Sequence, residues 1–236
     1  IGHRGRAELV VEVRGKAGHA SAPDRAVNAL DGLGAVLHAL RRFPAERLSA
    51  EDPVLGRSTL VATDVSASPT TRNVIPDVAT VAVDWRVLPD LDAEAAAALL
   101  TGFLEEQVSL PEGLGLRVRY STEAQHTWTG RERTHRMFTP GYLVAPDHPV
   151  VEAAAASVAG STGRTPAVRP WRFATDGGHT CGEQGIPTIG FAPGEERYAH
   201  TNSERLELEQ ARVAHDAYPA LIRNVFAALH KDASAG

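Results

Sequence analysis

The sequence predicts an α/β chain of the α+β kind, in two parts. Residues 1–121 read as a ferredoxin-like β-α-β-β-α-β layer, and residues 122–236 as part of a further α/β sheet. Two kinds of observation carry the first part. Period-2 alternation marks residues 7–15 (Ala-Glu-Leu-Val-Val-Glu-Val-Arg-Gly) and Val78–Leu88 as strands. Helical spacing sets Leu30, Leu33, Leu37 and Leu40 on one face of 27–43 and recurs in the Ala- and Glu-rich stretch 93–108. Residues 58–66 and 116–121 supply the two remaining strands of the order.

The second part is less regular. Residues 122–146 contain Gly and Pro without a strong period and read as loop. An Ala-rich helix with an acidic start is expected over 147–161, strands over 168–174 and 187–191, and a terminal helix over 208–230.

Composition narrows the class. The 236 residues carry a formal net charge of −5, which argues against nucleic acid or an anionic membrane as partner. No apolar run has the length of a membrane span and no leader pattern is visible. A single cysteine, Cys181, excludes an intrachain disulfide and points to a reducing, cytoplasmic setting.

Four segments can carry chemistry. Gly15-Lys16-Ala17-Gly18-His19-Ala20-Ser21-Ala22-Pro23 holds a histidine among small residues, where an imidazole can reach outward; a loop histidine bonded to a local carbonyl is the plain alternative. Asn73-Val74-Ile75-Pro76-Asp77 leads into Asp84-Trp85-Arg86, where Arg86 can clamp a carboxylate through two N–H groups or simply face solvent. Thr175-Asp176-Gly177-Gly178 opens a turn whose backbone N–H groups suit an anion, or whose Asp is a helix cap. Ala192-Pro193-Gly194 precedes Ala199-His200-Thr201, which delivers a histidine just past an apolar stretch.

In order and spacing these segments resemble the dinuclear zinc amidohydrolase family of acetylornithine deacetylase, succinyl-diaminopimelate desuccinylase, aminoacylase-1 and carboxypeptidase G. The resemblance runs through Gly15–Pro23 with Asn28-Ala29, Asn73–Asp77, Asp84–Arg86, Thr175–Gly177, Gly185-Ile186-Pro187, Ala192–Gly194 and Ala199–Thr201 with Glu204, and so covers nearly the whole chain. It implies a lid and dimerisation domain at 1–121 and the C-terminal part of a zinc-peptidase-like catalytic domain at 122–236. It implies two zinc ions per complete subunit, with cobalt or manganese as alternatives, and hydrolysis of an amide bond in an N-acyl amino acid or short peptide. His200 becomes a metal ligand and His19 the lid histidine that reaches the oxyanion from a partner subunit of a homodimer. Asn73 and Arg86 become substrate contacts, and Thr175, Asp176, Gly177 and Gly194 line the substrate pocket.

One departure is large. The family's His-x-Asp segment, bridging Asp and Glu-Glu pair lie before the lid, whereas this sequence opens at Ile1 with the lid itself. The expectation is therefore a chain without the N-terminal part of the catalytic domain. Glu105-Glu106 and Glu195-Glu196 lack the right context and read as surface charge. His3, His126, His135, His148 and His179 receive no role. The reading from another class is a dimerisation or binding module that hydrolyses nothing.

Overall fold

Alternation along two ten-residue strands decides the architecture. The computed structural model describes residues 1–48 and 50–232, with side chains described through 230. In chain order the elements are β1 (Gly2–His3), β2 (Gly5–Arg14), β3 (Gly18–His19), α1 (Ala29–Arg47), β4 (Glu51–Asp52), β5 (Gly56–Arg57), β6 (Thr59–Ser68) and β7 (Val74–Ile75). There follow β8 (Val78–Val87), α2 (Ala93–Gln107), β9 (Gly115–Tyr120), β10 (Thr122–His126), β11 (Glu132–Arg136), β12 (Phe138–Thr139), β13 (Tyr142–Leu143), α3 (Pro149–Thr162) and α4 (Leu208–Asp232). Contacts divide the chain into a sheet unit, Arg4–Gly141, and a helical unit that joins Ile1–His3 to Tyr142–Gly236.

In the sheet unit β2 pairs antiparallel with β8 along its whole length, and β6 adds to the far side of β8. The other edge of β2 is shared, with β9 on residues 9–14 and β12 on residues 6–7. One face buries Ala7, Leu9, Val11 and Val13 of β2 with Ala79, Val81, Val83, Trp85 and Val87 of β8. Helices α1 and α2 cover that face through Leu33, Val36, Leu40 and Phe43 and through Leu100, Phe103 and Leu104. Phe43 sits edge-on to both Trp85 and Phe103, with ring centroids 5.2 and 5.0 Å apart. The Trp85 Nε1–H donates to Ser58 Oγ at 2.8 Å, so the indole enters the core with its polar atom satisfied. Both helices start on side-chain caps, Asn28 accepting from the Leu30 N–H and Asp92 from the Ala95 N–H.

The β-α-β-β-α-β order stands as expected, with three differences of detail. The buried stripe of α1 is Ala29, Leu33, Val36, Leu40 and Phe43, while Leu30 is 44% exposed. Spacings of four and three through Ala29 and Val36 turn the helix slightly away from the face that leucines alone suggest. The stretch 122–136, read as loop, is a β10–β11 hairpin. All ten of its strand residues are exposed, so neither face carries the apolar alternation that marks a half-buried strand. The sheet unit runs on to Gly141, past the expected end at 121, because β12 returns to pair with β2.

In the helical unit α3 and α4 form as expected and pack through Ala154, Val158 and Leu221, with Ile189 and Phe191 against them. Residues 168–174 and 187–191 are not strands. A strand exists only as one side of a hydrogen-bonded ladder. The described residues offer 168–174 little more than the bond from the Trp171 N–H to the Gly2 carbonyl, 2.8 Å. Residues 233–236 of the expected second part lie outside the described residues. No helix among the described residues is long and apolar enough to cross a membrane.

Replacing Phe43 with Ala removes a ring from the fully buried aromatic trio and should cost the sheet unit about 3–5 kcal/mol, read as a lowered urea midpoint. A second prediction concerns acid. The Glu12 carboxyl is held below its usual range first by a hydrogen bond from Arg14, then by the charges of Arg14, Arg119 and Arg117, against an opposing push from burial. A carboxyl lowered on folding stabilises above its unfolded pKa and loses that contribution as pH falls through the folded value. Glu12→Gln should therefore lower the midpoint near neutral pH, and its difference from the parent should shrink as pH falls below the ordinary value of 4.5 and vanish below the lowered folded value.

Candidate functional site

The candidate residues fall into two groups, one in each unit. In the sheet unit, β3 and β7 form a two-residue ladder with His19 opposite Val74, and the Ala20 N–H donates to the Asn73 carbonyl at 2.9 Å. Two segments more than fifty positions apart in sequence thus bring His19 and Asn73 side by side, both exposed. The Ser21 N–H donates to His19 Nδ1 at 3.2 Å, and Ser21 Oγ lies 2.7 Å from the same nitrogen. A backbone N–H always carries its proton, so Nδ1 is the acceptor and the neutral ring keeps its hydrogen on Nε2. His19 is then an outward N–H donor with a fixed tautomer.

Arg86 lies on the other face of the sheet from the core. Its Nε donates to Asp84 Oδ1 at 2.7 Å, while Arg6 Nε donates to Asp84 Oδ2 at 2.6 Å and Arg6 Nη2 to Glu8 Oε2 at 2.7 Å. The cross-strand pairs Arg6–Arg86 and Glu8–Asp84 place these four charges next to one another. Arg86 is therefore a guanidinium already oriented by a carboxylate.

In the helical unit a cleft of about 790 Å³ gathers the second group. Thr175, Asp176, Gly177 and Gly194 all line it, with Ala199 beside His200. Trp171, Phe173, Phe191 and Tyr198 supply aromatic wall, and Trp171 and Phe173 stack at 5.3 Å. The Thr175–Gly177 segment does not open a regular helix. It leads into a single six-residue π-helical turn, Gly178–Glu183, that has no side-chain cap; the Asp176 carbonyl accepts from the His179 and Thr180 N–H groups instead. Gly177 is buried against Tyr142, where a Cβ would stand 2.5 Å from the ring. Gly194 donates its N–H to Gln210 Oε1 at 2.9 Å.

His200 is exposed and holds φ 60, the only non-glycine residue in the left-handed region among those described. Its N–H donates to Glu204 Oε2 at 3.3 Å. Such a conformation costs an L-residue energy and is tolerated where a side chain must be aimed. Its surroundings do not complete a metal centre: the described residues contain no group of three or more His, Cys, Asp or Glu that could hold an ion. One imidazole does not fit a zinc site, which takes three or four protein donors.

Several residues without a sequence role acquire one. His148 caps α3, its Nδ1 accepting from the Val150 N–H at 3.1 Å. His126 stands 3.3 Å from Glu132 across the hairpin, and His179 3.1 Å from Glu183 along the π-turn. Glu195, exposed as expected, and the partly buried Glu196 both stand at the cleft: Glu196 Oε1 accepts from the Arg172 N–H, and Glu195 Oε1 from Gln210. His3 is fully buried and its Nε2 accepts from the Thr175 N–H at 3.0 Å. The cleft's aromatic wall and the His3 contact were not visible in sequence, since each joins positions far apart in the chain.

With this geometry the known proteins that match can be placed. Residues 1–109 match the family of peptidase dimerisation domains that belongs to the M20 group. The uncharacterised protein YgeY of Escherichia coli K12 is 32% identical over 206 residues, which is 86% of this chain and 49% of YgeY. A succinyl-diaminopimelate desuccinylase of Methylorubrum populi is 30% identical over 168 residues, 71% of this chain and 38% of that protein. Among solved structures, aminopeptidase PepT from Bacillus cereus has a TM-score of 0.63 at 23% identity, covering 95% of this chain and 53% of PepT. The M20 family metallo-carboxypeptidase Sso-CP2 from Sulfolobus solfataricus has a TM-score of 0.64 at 15% identity, a likeness of fold, over 95% of this chain and 59% of its own. In sequence and fold the chain is thus similar to M20 metallopeptidases and amidohydrolases, through the dimerisation domain over residues 1–109 and through relatives over most of its length. The chain spans about half the length of the curated relatives it matches.

Gly177→Ala should strain the Tyr142 contact and destabilise the helical unit by about 1–3 kcal/mol, the range for overpacking. Thermal denaturation and the near-ultraviolet dichroism of the aromatic residues check this.

Proposed function

We propose that this chain provides the lid and the C-terminal part of the substrate cleft of a metal-dependent hydrolase that cleaves an amide bond in an N-acyl amino acid or short peptide. The single observation that carries the reading is the cleft. It collects Thr175–Gly177, Gly194 and the His200 turn from three stretches of one unit, the same stretches that carry the family resemblance. The printed names of relatives, a desuccinylase and an aminopeptidase, agree with amide hydrolysis.

Each residue then has a task that its geometry suits. His19 donates its Nε2–H to the oxyanion that forms as the carbonyl is attacked, a role favoured by the tautomer that Ser21 fixes. Asn73, held next to it, contacts the substrate. Arg86 holds a substrate carboxylate with the guanidinium that Asp84 orients. Thr175, Asp176, Gly177 and Gly194 line the pocket. His200 is proposed as one ligand of a divalent metal, zinc by the resemblance, which would supply activation of a water for hydrolysis. The described residues hold no further ligand set, so the rest of that centre would come from outside this stretch.

A homodimer follows through the edge strand β6, whose Val61 and Val65 are 58% and 50% exposed. A second reading, a self-associating module without activity of its own, is favoured by the lack of a three-donor cluster among the described residues.

The test is a polypeptide of the relatives' full length, assayed for bound metal and for release of amino acid from N-succinyl and other N-acyl amino acids. His19→Ala in that polypeptide should lower kcat by roughly 10²–10³-fold, the cost of removing one oxyanion donor, with metal content unchanged. Unaltered turnover removes the oxyanion role. For the module reading, the 236-residue chain alone should dimerise by light scattering, and Val61→Lys with Val65→Lys should return it to monomer.

A further inference from the structure

We infer that His3, together with Tyr142, is a positioning residue for the Thr175–Gly177 segment of the cleft, set at the two points where the chain crosses between its units. The crossings fall between His3 and Arg4 and between Gly141 and Tyr142. His3 and Tyr142 are direct partners in the β1–β13 ladder, so the residues at the two crossings are hydrogen-bonded neighbours. Their rings meet edge-on at 4.8 Å, and both are buried.

The segment rests on this pair through two hydrogen bonds and one packing contact. The Thr175 N–H donates to His3 Nε2 at 3.0 Å, across 172 positions of sequence. The Thr175 carbonyl lies 3.2 Å from the same nitrogen. Because the amide always carries its proton, Nε2 acts as the acceptor, and the ring's own hydrogen belongs on Nδ1. The Thr175 side chain is hydrogen-bonded to the Tyr142 phenol, which burial pushes above its ordinary pKa and so keeps protonated. Gly177 in turn donates its N–H to Thr175 Oγ1 at 3.2 Å and packs flat against the Tyr142 ring, where no side chain fits.

His3 sits between two glycines whose absent side chains matter here. A Cβ on Gly2 would collide with the Tyr142 carbonyl, and one on Gly5 would stand 2.6 Å from the Gly141 nitrogen. The Gly2-His3-Arg4-Gly5 run thus lets two backbone strands press together at each crossing, with His3 as the one side chain that reaches the Thr175 amide. A part-buried N–H left without an acceptor carries a cost, which His3 removes by supplying one to Thr175. The consequence for substrate binding rests on the reading of the cleft as the substrate pocket; the positioning itself does not.

Amide hydrogen exchange on the 236-residue chain, read by NMR, tests it without any activity. His3→Leu, which has no acceptor, should speed exchange at Thr175 and Gly177 by at least about tenfold, while Val81 and Trp85 in the sheet unit keep their protection. His3→Gln, whose amide oxygen can take the place of Nε2, should restore most of it. Tyr142→Phe removes only the phenol oxygen and should speed exchange at Gly177, which supplies the answer if His3→Leu fails to fold. Unchanged exchange at Thr175 in His3→Leu, or at Gly177 in Tyr142→Phe, would overturn the inference. So would loosening by His3→Gln equal to that by His3→Leu, since that would assign the histidine to packing alone. In the full-length enzyme the same His3→Leu change should raise KM more than it lowers kcat. A reverse split would tell against a substrate pocket there, with the exchange result intact.

Discussion

Strand β2 is the constraint on which the sheet unit depends. It is paired along both edges, with β8 on one side and β9 with β12 on the other, and so joins the β9 and β12 edge to the β8–β6 pair. Its buried residues Ala7, Leu9, Val11 and Val13 fix the register of all the rest, because a one-residue slip would turn that apolar set to solvent. The hairpin β10–β11 is admitted at a single point of this frame. Ser121 donates its N–H to the Glu8 carbonyl, Glu8 donates to Met137, and Met137 donates to Ser121, each at 2.9 Å. Fifteen exposed or partly exposed residues, 122–136, therefore leave the sheet and return to it without breaking the pairing of β2.

The same dependence explains what the amino-acid sequence reveals. Every element that turns an apolar face to the sheet-unit core was legible: β2 and β8 by period two, α1 and α2 by helical spacing, because one amphipathic pattern states both the element and its buried side. The β10–β11 strands were not legible, since both of their faces meet water and their only signal is pairing. Residues 168–174 and 187–191 fail in the opposite direction. They are apolar enough for strands, but pattern cannot tell whether a backbone partner stands alongside. Site residues divide similarly. His19, Asn73, Thr175–Gly177 and His200 sit in short local segments of distinctive composition, whereas His3 looks like any polar residue until its partner across 172 positions is known.

Electrostatics separate the two faces of the sheet. Toward the helices there is no charge, and the indole of Trp85 is the main polar visitor, satisfied by Ser58. The opposite face carries Arg6, Glu8, Asp84 and Arg86 at one end and Glu12, Arg14, Arg117 and Arg119 at the other. The pairs are partly exposed, so their worth is in orientation more than in stability. Asp84 is the pivot, since it accepts from Arg6 and Arg86 together and so fixes the direction of both guanidinium groups. An arginine held in this way loses little conformational freedom when it takes a further carboxylate, which is the physical case for Arg86 as a substrate contact.

The two edges of the sheet differ in a manner that bears on self-association. At the β9 edge Arg117 and Arg119 are exposed, a charged rim of the kind that discourages another strand from adding. At the β6 edge the exposed residues include Val61 and Val65, with Asp64 as the sole charge in the strand. A bulge between Ala62 and Asp64 interrupts the middle of β6 but leaves both valines in register with β8. An edge that is long, apolar in part and nearly uncharged is a liability for a monomer and an asset for a symmetric pair, because a two-fold axis lets each copy cover the other. Of the two edges, only β6 has that character, and this is why the proposed homodimer is assigned to it and not to β9.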